Sequence, residues 1–165
     1  TRSIRSGEID GKDYIFVDQK NFDQMINANK FLEYANVYGN QYGVPKDQVE
    51  SALSQGKDAL IKADVQGAHT IMKLEPSVLS IFIMPESTAD LEVRLAKRMT
   101  ESKEALKIRL DTAINEINQA SKFEFIVYNK QDLIEQTLEE IEKIILEAKN
   151  SAKQRVFNFT YETRP

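Results

Sequence analysis

The chain has 165 residues, with 22 Lys and Arg against 26 Asp and Glu and a formal net charge of −4. Its length predicts one domain, at roughly 150 residues per domain, and its acidic balance argues against nucleic acid or a membrane surface as a partner. The absence of Cys and the single His exclude disulfides, thiolate nucleophiles and zinc sites built on Cys. The longest apolar run, 78–84, is too short to span a bilayer, and no signal-peptide pattern opens the chain. We therefore expect a soluble, cytoplasmic protein.

The first third of the chain alternates between short β-rich and helical segments. Strands are predicted at 14–17 and 31–38, and helices at 20–29 and 47–54. Asp18 is placed to cap the first helix, and Gly56 to end the second. The Gly-flanked run at 39–43 predicts a turn.

Further along the chain, dense apolar runs at 59–64, 78–84 and 123–128 each adjoin a helical pattern. Helices are predicted over 87–97, 102–120 and 132–148, with Ser87 and Asp132 as caps. This alternation is typical of a mostly parallel sheet covered by helices, which is an α/β fold. After residue 150 the sequence regains β character.

Several side chains are suited to binding an anion. Arg2, Arg5 and Lys12 lie close together in sequence beside Gly7 and Tyr14. Guanidinium forks and a phenol hydroxyl can grip a phosphate. The same residues could equally form a solvated basic turn.

Other candidates each allow two interpretations. If Glu33 is buried on its apolar strand face, either the donors of a ligand or a structural arginine would satisfy it. Asp64 follows an apolar run, where it could lie at a ligand-binding sheet edge or cap a helix. Arg94 and Arg98 repel each other on one helix face unless an anion lies between them, and Arg109 lies on the adjoining helix. Otherwise these arginines form a solvated surface.

Taken in order, these motifs resemble the guanylate kinase family from residue 1 to about residue 150. The opening TRSIRSGEIDGKDYIF, residues 1–16, is similar to the family pattern T-R-x-x-R-x-G-E-x-x-G-x-D-Y-x-F. Further motifs follow in register: FLEYA (31–35), GNQYG (39–43), DVQGA (64–68), IFI (81–83), LEVRLAKR (91–98) and TES (100–102).

The resemblance implies an α/β fold of the P-loop kinase type. In this fold a three-layer parallel sheet is flanked by helices, with a small mixed-β GMP-binding subdomain and a helical lid. The expected organisation is a guanylate kinase-like domain over 1–150, with the GMP-binding subdomain at about 1–55, the core and lid at about 56–150, and a tail at 151–165.

The resemblance also implies an activity in purine nucleotide metabolism, the transfer of the γ-phosphoryl group of ATP to GMP with Mg²⁺, giving ADP and GDP. The residues that would hold the GMP phosphate are Arg2, Arg5, Tyr14 and Tyr42. Glu33 would accept hydrogen bonds from guanine N1 and N2, and Asp64 would lie near the metal and GMP. The lid arginines that would neutralise the transferring group are Arg94, Arg98 and Arg109. Asn129 corresponds to the adenine-side Asn, and no metal ligand is assigned within the chain.

Three departures from the family pattern bear on this activity. Val44 stands where the family has a Ser or Thr that reaches guanine O6, which predicts softer base selectivity. Lys62 replaces an acidic residue two positions before Asp64, and it could help to hold ATP or compromise metal handling. Lys130 and Gln131 replace two Asp residues that follow the adenine-side Asn.

The largest departure concerns ATP. The family's G-x-x-G-x-G-K-[ST] loop, whose backbone N–H groups cradle phosphates, does not occur in these 165 residues. The resemblance places that loop before Thr1, so we expect the chain alone to bind GMP weakly and to transfer little phosphoryl. The tail run FNFTYETRP, 157–165, resembles the family's second strand. It could replace that strand within the chain or by a swap in a homodimer.

A second function class is a non-catalytic guanylate kinase-like module that binds GMP or a phosphorylated partner. Such a module has no use for lid arginines in catalytic register, so Arg94, Arg98 and Arg109 favour the kinase. Glu33 argues against a kinase for another base, because only guanine offers it two adjacent donors.

Overall fold

The computed structural model describes residues 1–97, 103–151 and Arg155. Arg98 and the predicted strand in the tail therefore lie outside the described residues. The chain divides into two compact units, Thr1–Leu74 and Glu75–Pro165. No helix in the described ranges combines the length and apolar character that crossing a membrane requires.

The first unit is built around a β-hairpin. Its elements are α1 (Gln19–Asn27), β1 (Phe31–Val37), β2 (Asn40–Pro45), α2 (Lys46–Ser54) and α3 (Val65–Leu74). The strands are antiparallel, and Val37 pairs with Asn40 across a tight turn formed by Tyr38 and Gly39, both with positive φ. The predicted turn at 39–43 is therefore wrong. Two left-handed residues reverse the chain by themselves, so β2 begins at once.

Apolar packing fixes α1 and α3 against β1. Asp18 caps α1 as predicted, its side chain accepting a hydrogen bond from Asn21 N at 2.7 Å. Phe22 of α1 is buried and stacks on Phe31, with ring centroids 4.6 Å apart. Helix α3 packs on the same strand, and its buried residues are Val65, Gly67 and Ile71. The hairpin is thereby held from two sides.

Two predicted strands in this unit are absent from the described structure. Residues 59–64 form no regular element, and Leu60 is 91% exposed. A strand must share its backbone hydrogen bonds with a neighbour, and among the described residues none pairs with this run. Residues 14–17 likewise form no strand, and only an isolated bridge joins Tyr14 to Asp10.

The second unit contains a parallel strand pair flanked by helices. Its elements are β3 (Ile81–Pro85), α4 (Thr88–Lys97), α5 (Lys103–Ile117), a 3₁₀ turn (Ala120–Lys122), β4 (Phe125–Asn129) and α6 (Ile134–Asn150). Strands β3 and β4 run parallel, from Ile81 opposite Phe125 to Pro85 opposite Asn129. Val127 is fully buried where α6 packs on β4, and α4 packs on both β3 and α5. The predicted α/β class is confirmed.

The helix caps of this unit match the sequence in one case and not in the other. Ser87 Oγ accepts from Asp90 N at 3.1 Å, so the predicted cap of α4 is confirmed. The predicted cap by Asp132 is wrong, because α6 begins at Ile134 after Leu133. Asp132 has φ 56°, a left-handed conformation that Asp tolerates in turns.

Candidate functional site

A buried carboxylate lies at the centre of the first unit. Glu33, on β1, is 6% exposed, and its Oε2 meets no hydrogen-bond donor within the described residues. Burial, with a smaller contribution from the charge of Asp64, raises the pKa of the Glu33 carboxyl to about 7. A carboxylate in such a place is costly unless donors reach it. The sequence leaves two kinds of partner open for Glu33, a ligand or a structural arginine. Among the described residues, no arginine donates to Oε2.

The start of α3 forms one wall beside this carboxylate. A Cβ atom on Gly67 would lie 2.7 Å from Glu33 Oε1, so a larger residue here would force the carboxylate to move. Asp64 Oδ1 accepts from Gly67 N at 2.8 Å, which confirms Asp64 as the helix cap. Glu33 therefore lies against a glycine, and the charge of a second acidic side chain, Asp64, acts on it.

The strand register extends the site along one face of the hairpin. Glu33 is paired with Val44, and Ala35 with Tyr42. Directly opposed residues of an antiparallel pair point to the same side of the sheet. An apolar side chain therefore lies beside Glu33, and a phenol lies about two residues further along the same face.

Arg2 joins the opening segment to this phenol. Its guanidinium carbon lies 5.1 Å from the centre of the Tyr14 ring and 5.3 Å from that of Phe16. The rings of Tyr14 and Tyr42 meet edge-on at 6.3 Å. Thr1 Oγ1 accepts from the backbone N–H of Gln41 at 2.9 Å, which holds the segment along β2. The structure thus brings together Arg2, Tyr14 and Tyr42, three of the four residues that the resemblance assigns to the GMP phosphate.

Glu8 holds the Arg2 guanidinium in place. The two residues form a two-pronged ion pair, in which Arg2 Nη1 donates to Glu8 Oε2 at 2.7 Å and Nη2 donates to Oε1. The hydrogen bonds from Arg2, and then the Arg5 N–H at 2.8 Å, lower the pKa of the Glu8 carboxyl to about 2. Glu8 in turn, with a smaller contribution from Tyr42, raises the pKa of the Arg2 guanidinium. Both partners are therefore charged at neutral pH.

Two further cations belong to this region. Arg5 is exposed, and its backbone is tied to the Glu8 carboxylate. Lys62 Nζ lies 5.3 Å from the centre of the Tyr14 ring. The sequence identifies Lys62 only as a departure from the family pattern, and it assigns no role to Glu8. The sequence signal for this ion pair is an Arg and a Glu six residues apart, with Gly7 between them. In the structure Gly7 has φ 87°.

In the second unit the structure brings two predicted residues together. Arg94 of α4 donates from Nη2 to the backbone oxygen of Asn129 at 2.7 Å, at the end of β4. Asn129 Oδ1 also accepts from Thr137 Oγ1 at 3.5 Å. Arg109 is half-buried on α5, the helix that packs against α4.

The chain is similar to known proteins over most of its length. The family model for guanylate kinase matches residues 1–148. A guanylate kinase from Rickettsia felis is 42% identical over 152 residues, covering 92% of this chain and 78% of its own. One from Clostridium tetani is 43% identical over 145 residues, covering 88% and 69%. The crystal structure of guanylate kinase from Anaplasma phagocytophilum superposes with a TM-score of 0.79 at 35% identity, covering 94% of this chain and 74% of that one. The predicted P-loop kinase-type fold is confirmed, and the chain belongs to the guanylate kinase family.

Proposed function

We propose that the chain acts in the guanylate kinase reaction, in which the γ-phosphoryl group of ATP passes to GMP and gives ADP and GDP. In this proposal the unit Thr1–Leu74 holds GMP. The observation that carries it is the buried Glu33 carboxylate, whose Oε2 meets no donor among the described residues. A ligand with adjacent donors would supply the missing hydrogen bonds.

Guanine supplies the donors that this carboxylate needs. Its N1–H and N2–H groups lie side by side and can donate to the two oxygens of Glu33. Adenine carries an acceptor at N1, so it would leave the carboxylate unsatisfied at a large cost. The site should therefore select a 2-amino-6-oxopurine over a 6-aminopurine.

The ring cluster is suited to the phosphate of GMP. We assign phosphate binding to Arg2, Arg5, Tyr14 and Tyr42, which combine charge with hydroxyl donors. Arg2 is held by Glu8 and backed by two aromatic rings, so little side-chain freedom remains to be lost on binding. Asp64, at the start of α3, would lie near the nucleotide beside Glu33.

The second unit supplies the groups proposed for the transferring phosphoryl. Arg94 and Arg109 would neutralise its negative charge, together with Arg98, which lies outside the described residues. Asn129 would lie on the adenine side, where its backbone oxygen already holds Arg94. This contact links the two groups that we assign to ATP.

Mg²⁺ is proposed as the partner of ATP. The described residues contain no cluster of three or more His, Cys, Asp or Glu side chains that could hold a metal ion. In kinase sites Mg²⁺ keeps several waters and is bound largely by substrate phosphates, needing one or two carboxylates at most. The described acidic residues, Asp64 among them, fit that limited role.

Nucleotide binding tests the proposal directly. In calorimetric titrations of the purified chain, GMP is expected to bind and AMP to bind at least about a hundredfold more weakly. Thermal melts in the presence of each nucleotide provide an independent measurement. Equal affinity for GMP and AMP, or no binding of GMP, would contradict the proposal.

Gly67→Ala is expected to reduce GMP affinity about tenfold without reducing stability. The new methyl would lie 2.7 Å from Glu33 Oε1, so the carboxylate must turn away from its present position. Stability should hold, because alanine in a helix is favoured over glycine by up to about 1 kcal/mol. Titration with GMP and thermal melting check both results, with Gln66→Ala on the exposed side of the same turn as the control. Unchanged GMP affinity would show that the position of the carboxylate is unimportant.

A further inference from the structure

The Tyr14 ring has two cations against it. Lys62 Nζ lies 5.3 Å from its centre, and the guanidinium carbon of Arg2 lies 5.1 Å from the same point. The separation of the two cations therefore cannot exceed these two distances added together. Two basic side chains that meet the same phenol ring can both donate to an anion bound beside that ring.

Arg2, one of the two arginines that we assign to the phosphate, is already paired with an acid. Glu8 neutralises Arg2 through two hydrogen bonds, and both partners stay ionised at neutral pH. The pair therefore contributes donors but no net charge. A phosphate monoester carries a charge of about −1.5 to −2 at pH 7. Arg5 supplies one compensating charge, and Lys62 is placed to supply the second.

The contact between Lys62 and Tyr14 leaves the ammonium able to bind. A cation–π contact uses the charge of the ammonium and the face of the ring. It does not use the three N–H donors, which can point to phosphate oxygens. The ring also holds the end of a long, exposed side chain near the cluster, which lowers the entropy cost of recruiting it.

We propose that Lys62 is a phosphate-binding residue of the GMP site and supplies its second uncompensated positive charge. This inference rests on the proposed function, since it assigns a role within the same site. This role differs from both roles that the sequence allows for Lys62, which are holding ATP and disturbing the metal. Lys62 instead discriminates a nucleoside monophosphate from the uncharged nucleoside.

The test compares GMP with guanosine as ligands of the full chain. Lys62→Met keeps an apolar stem against Tyr14 but removes the charge, and it is expected to weaken GMP binding about five- to tenfold. Guanosine affinity should be unchanged. Lys62→Arg should bind GMP within about twofold of the original chain, because it keeps the charge and can contact the same ring. The matched control is Lys57→Met, since Lys57 Nζ donates to Gln55 Oε1 at 2.7 Å on the surface.

Ionic strength gives a second measurement. The loss of GMP affinity in Lys62→Met should shrink when salt is raised from about 50 to about 500 mM, since salt screens exposed charges. Thermal melts of all variants check that each is folded.

Each result bears on one of two ideas. If the original chain binds GMP and Lys62→Met binds it equally well, the role of Lys62 is overturned and the proposed function stands. An equal loss for GMP and guanosine would also overturn it, because the effect would then not depend on the phosphate. If the original chain binds no GMP, the proposed function itself fails and this inference fails with it.

Discussion

Replacing Glu33 with glutamine is expected to weaken GMP binding to the purified chain about a hundredfold. The amide keeps the size of the side chain, but it puts an NH₂ donor where a carboxylate oxygen stood. One guanine N–H would then face another donor, and the charge assistance of the second hydrogen bond would be lost. The residue is buried, so water cannot replace the missing partner.

The neighbouring pairs on the same face of the hairpin offer no second carboxylate for guanine. The residue paired with Glu33 is Val44, which has no hydrogen-bonding side chain, and the next pair along the face is Ala35 and Tyr42. On this face of the hairpin, the proposed recognition of guanine therefore depends on the Glu33 carboxylate.

Calorimetry with GMP and AMP measures the effect of Glu33→Gln. Glu50→Gln, an exposed position on α2, is the matched control and should leave GMP affinity unchanged. The ratio of GMP to AMP affinity should fall towards one in Glu33→Gln. A loss of less than about threefold would show that Glu33 does not read the base.

The sequence predicts the position of Glu33 on a strand because the alternation of apolar residues in a strand is periodic. Alternation over 31–38 places the residue on an apolar face, and β1 covers Phe31–Val37. The helix caps Asp18 and Ser87 are predicted equally well, since a cap depends on residues within one helical turn. Local patterns of this kind can be predicted because they depend only on residues that are close in sequence.

Features that depend on a distant partner could not be predicted. The apolar run at 59–64 has the composition of a strand, but pairing and not composition makes a strand. The start of β2 depends on the two left-handed residues of the hairpin turn. Asp132 looks like a cap and instead occupies a left-handed turn position before α6.

The contacts around the Tyr14 ring also depend on distant partners. Tyr14 is in contact with Arg2, Tyr42 and Lys62, which come from three separate parts of the chain. No period or motif spacing relates Lys62 to Tyr14, because both lie in segments without regular structure. The resemblance to the family supplies Arg2, Tyr14 and Tyr42, whereas Lys62 departs from the family pattern and only the structure gives it a neighbour.

Glu33 is also expected to make the stability of the chain depend on pH. In the native state the pKa of its carboxyl is about 7, against an ordinary value of 4.5. Below pH 4.5 the carboxyl is protonated in both the native and the unfolded states, and its full contribution to stability is present. As the pH rises towards 7, the unfolded chain releases this proton and the native chain retains it, so unfolding becomes more favourable.

Glu33→Gln removes this titration. The free energy of unfolding of the variant, relative to the original chain, should therefore rise by about 3 kcal/mol between pH 4 and pH 8. Urea unfolding of both proteins at several pH values measures the difference. Contributions common to both cancel, including that of Glu8, whose lowered pKa of about 2 acts in the opposite direction at acidic pH. Glu50→Gln should show no such change, and a constant difference between Glu33→Gln and the original chain would exclude a raised pKa.

As the pH rises to 8, Glu33→Gln should gain stability relative to the original chain although it binds GMP more weakly, and this separates function from folding. A residue retained for packing should not be replaceable with a gain in stability. Here the loss of the charge should favour the folded chain at pH 8 relative to pH 4 and abolish the selection of guanine, because the same desolvation causes both. GMP should relieve this cost by donating to the carboxylate, so saturating GMP should stabilise the original chain more strongly at pH 8 than it stabilises Glu33→Gln. The desolvation cost of the Glu33 carboxylate is then offset when guanine donates hydrogen bonds to it.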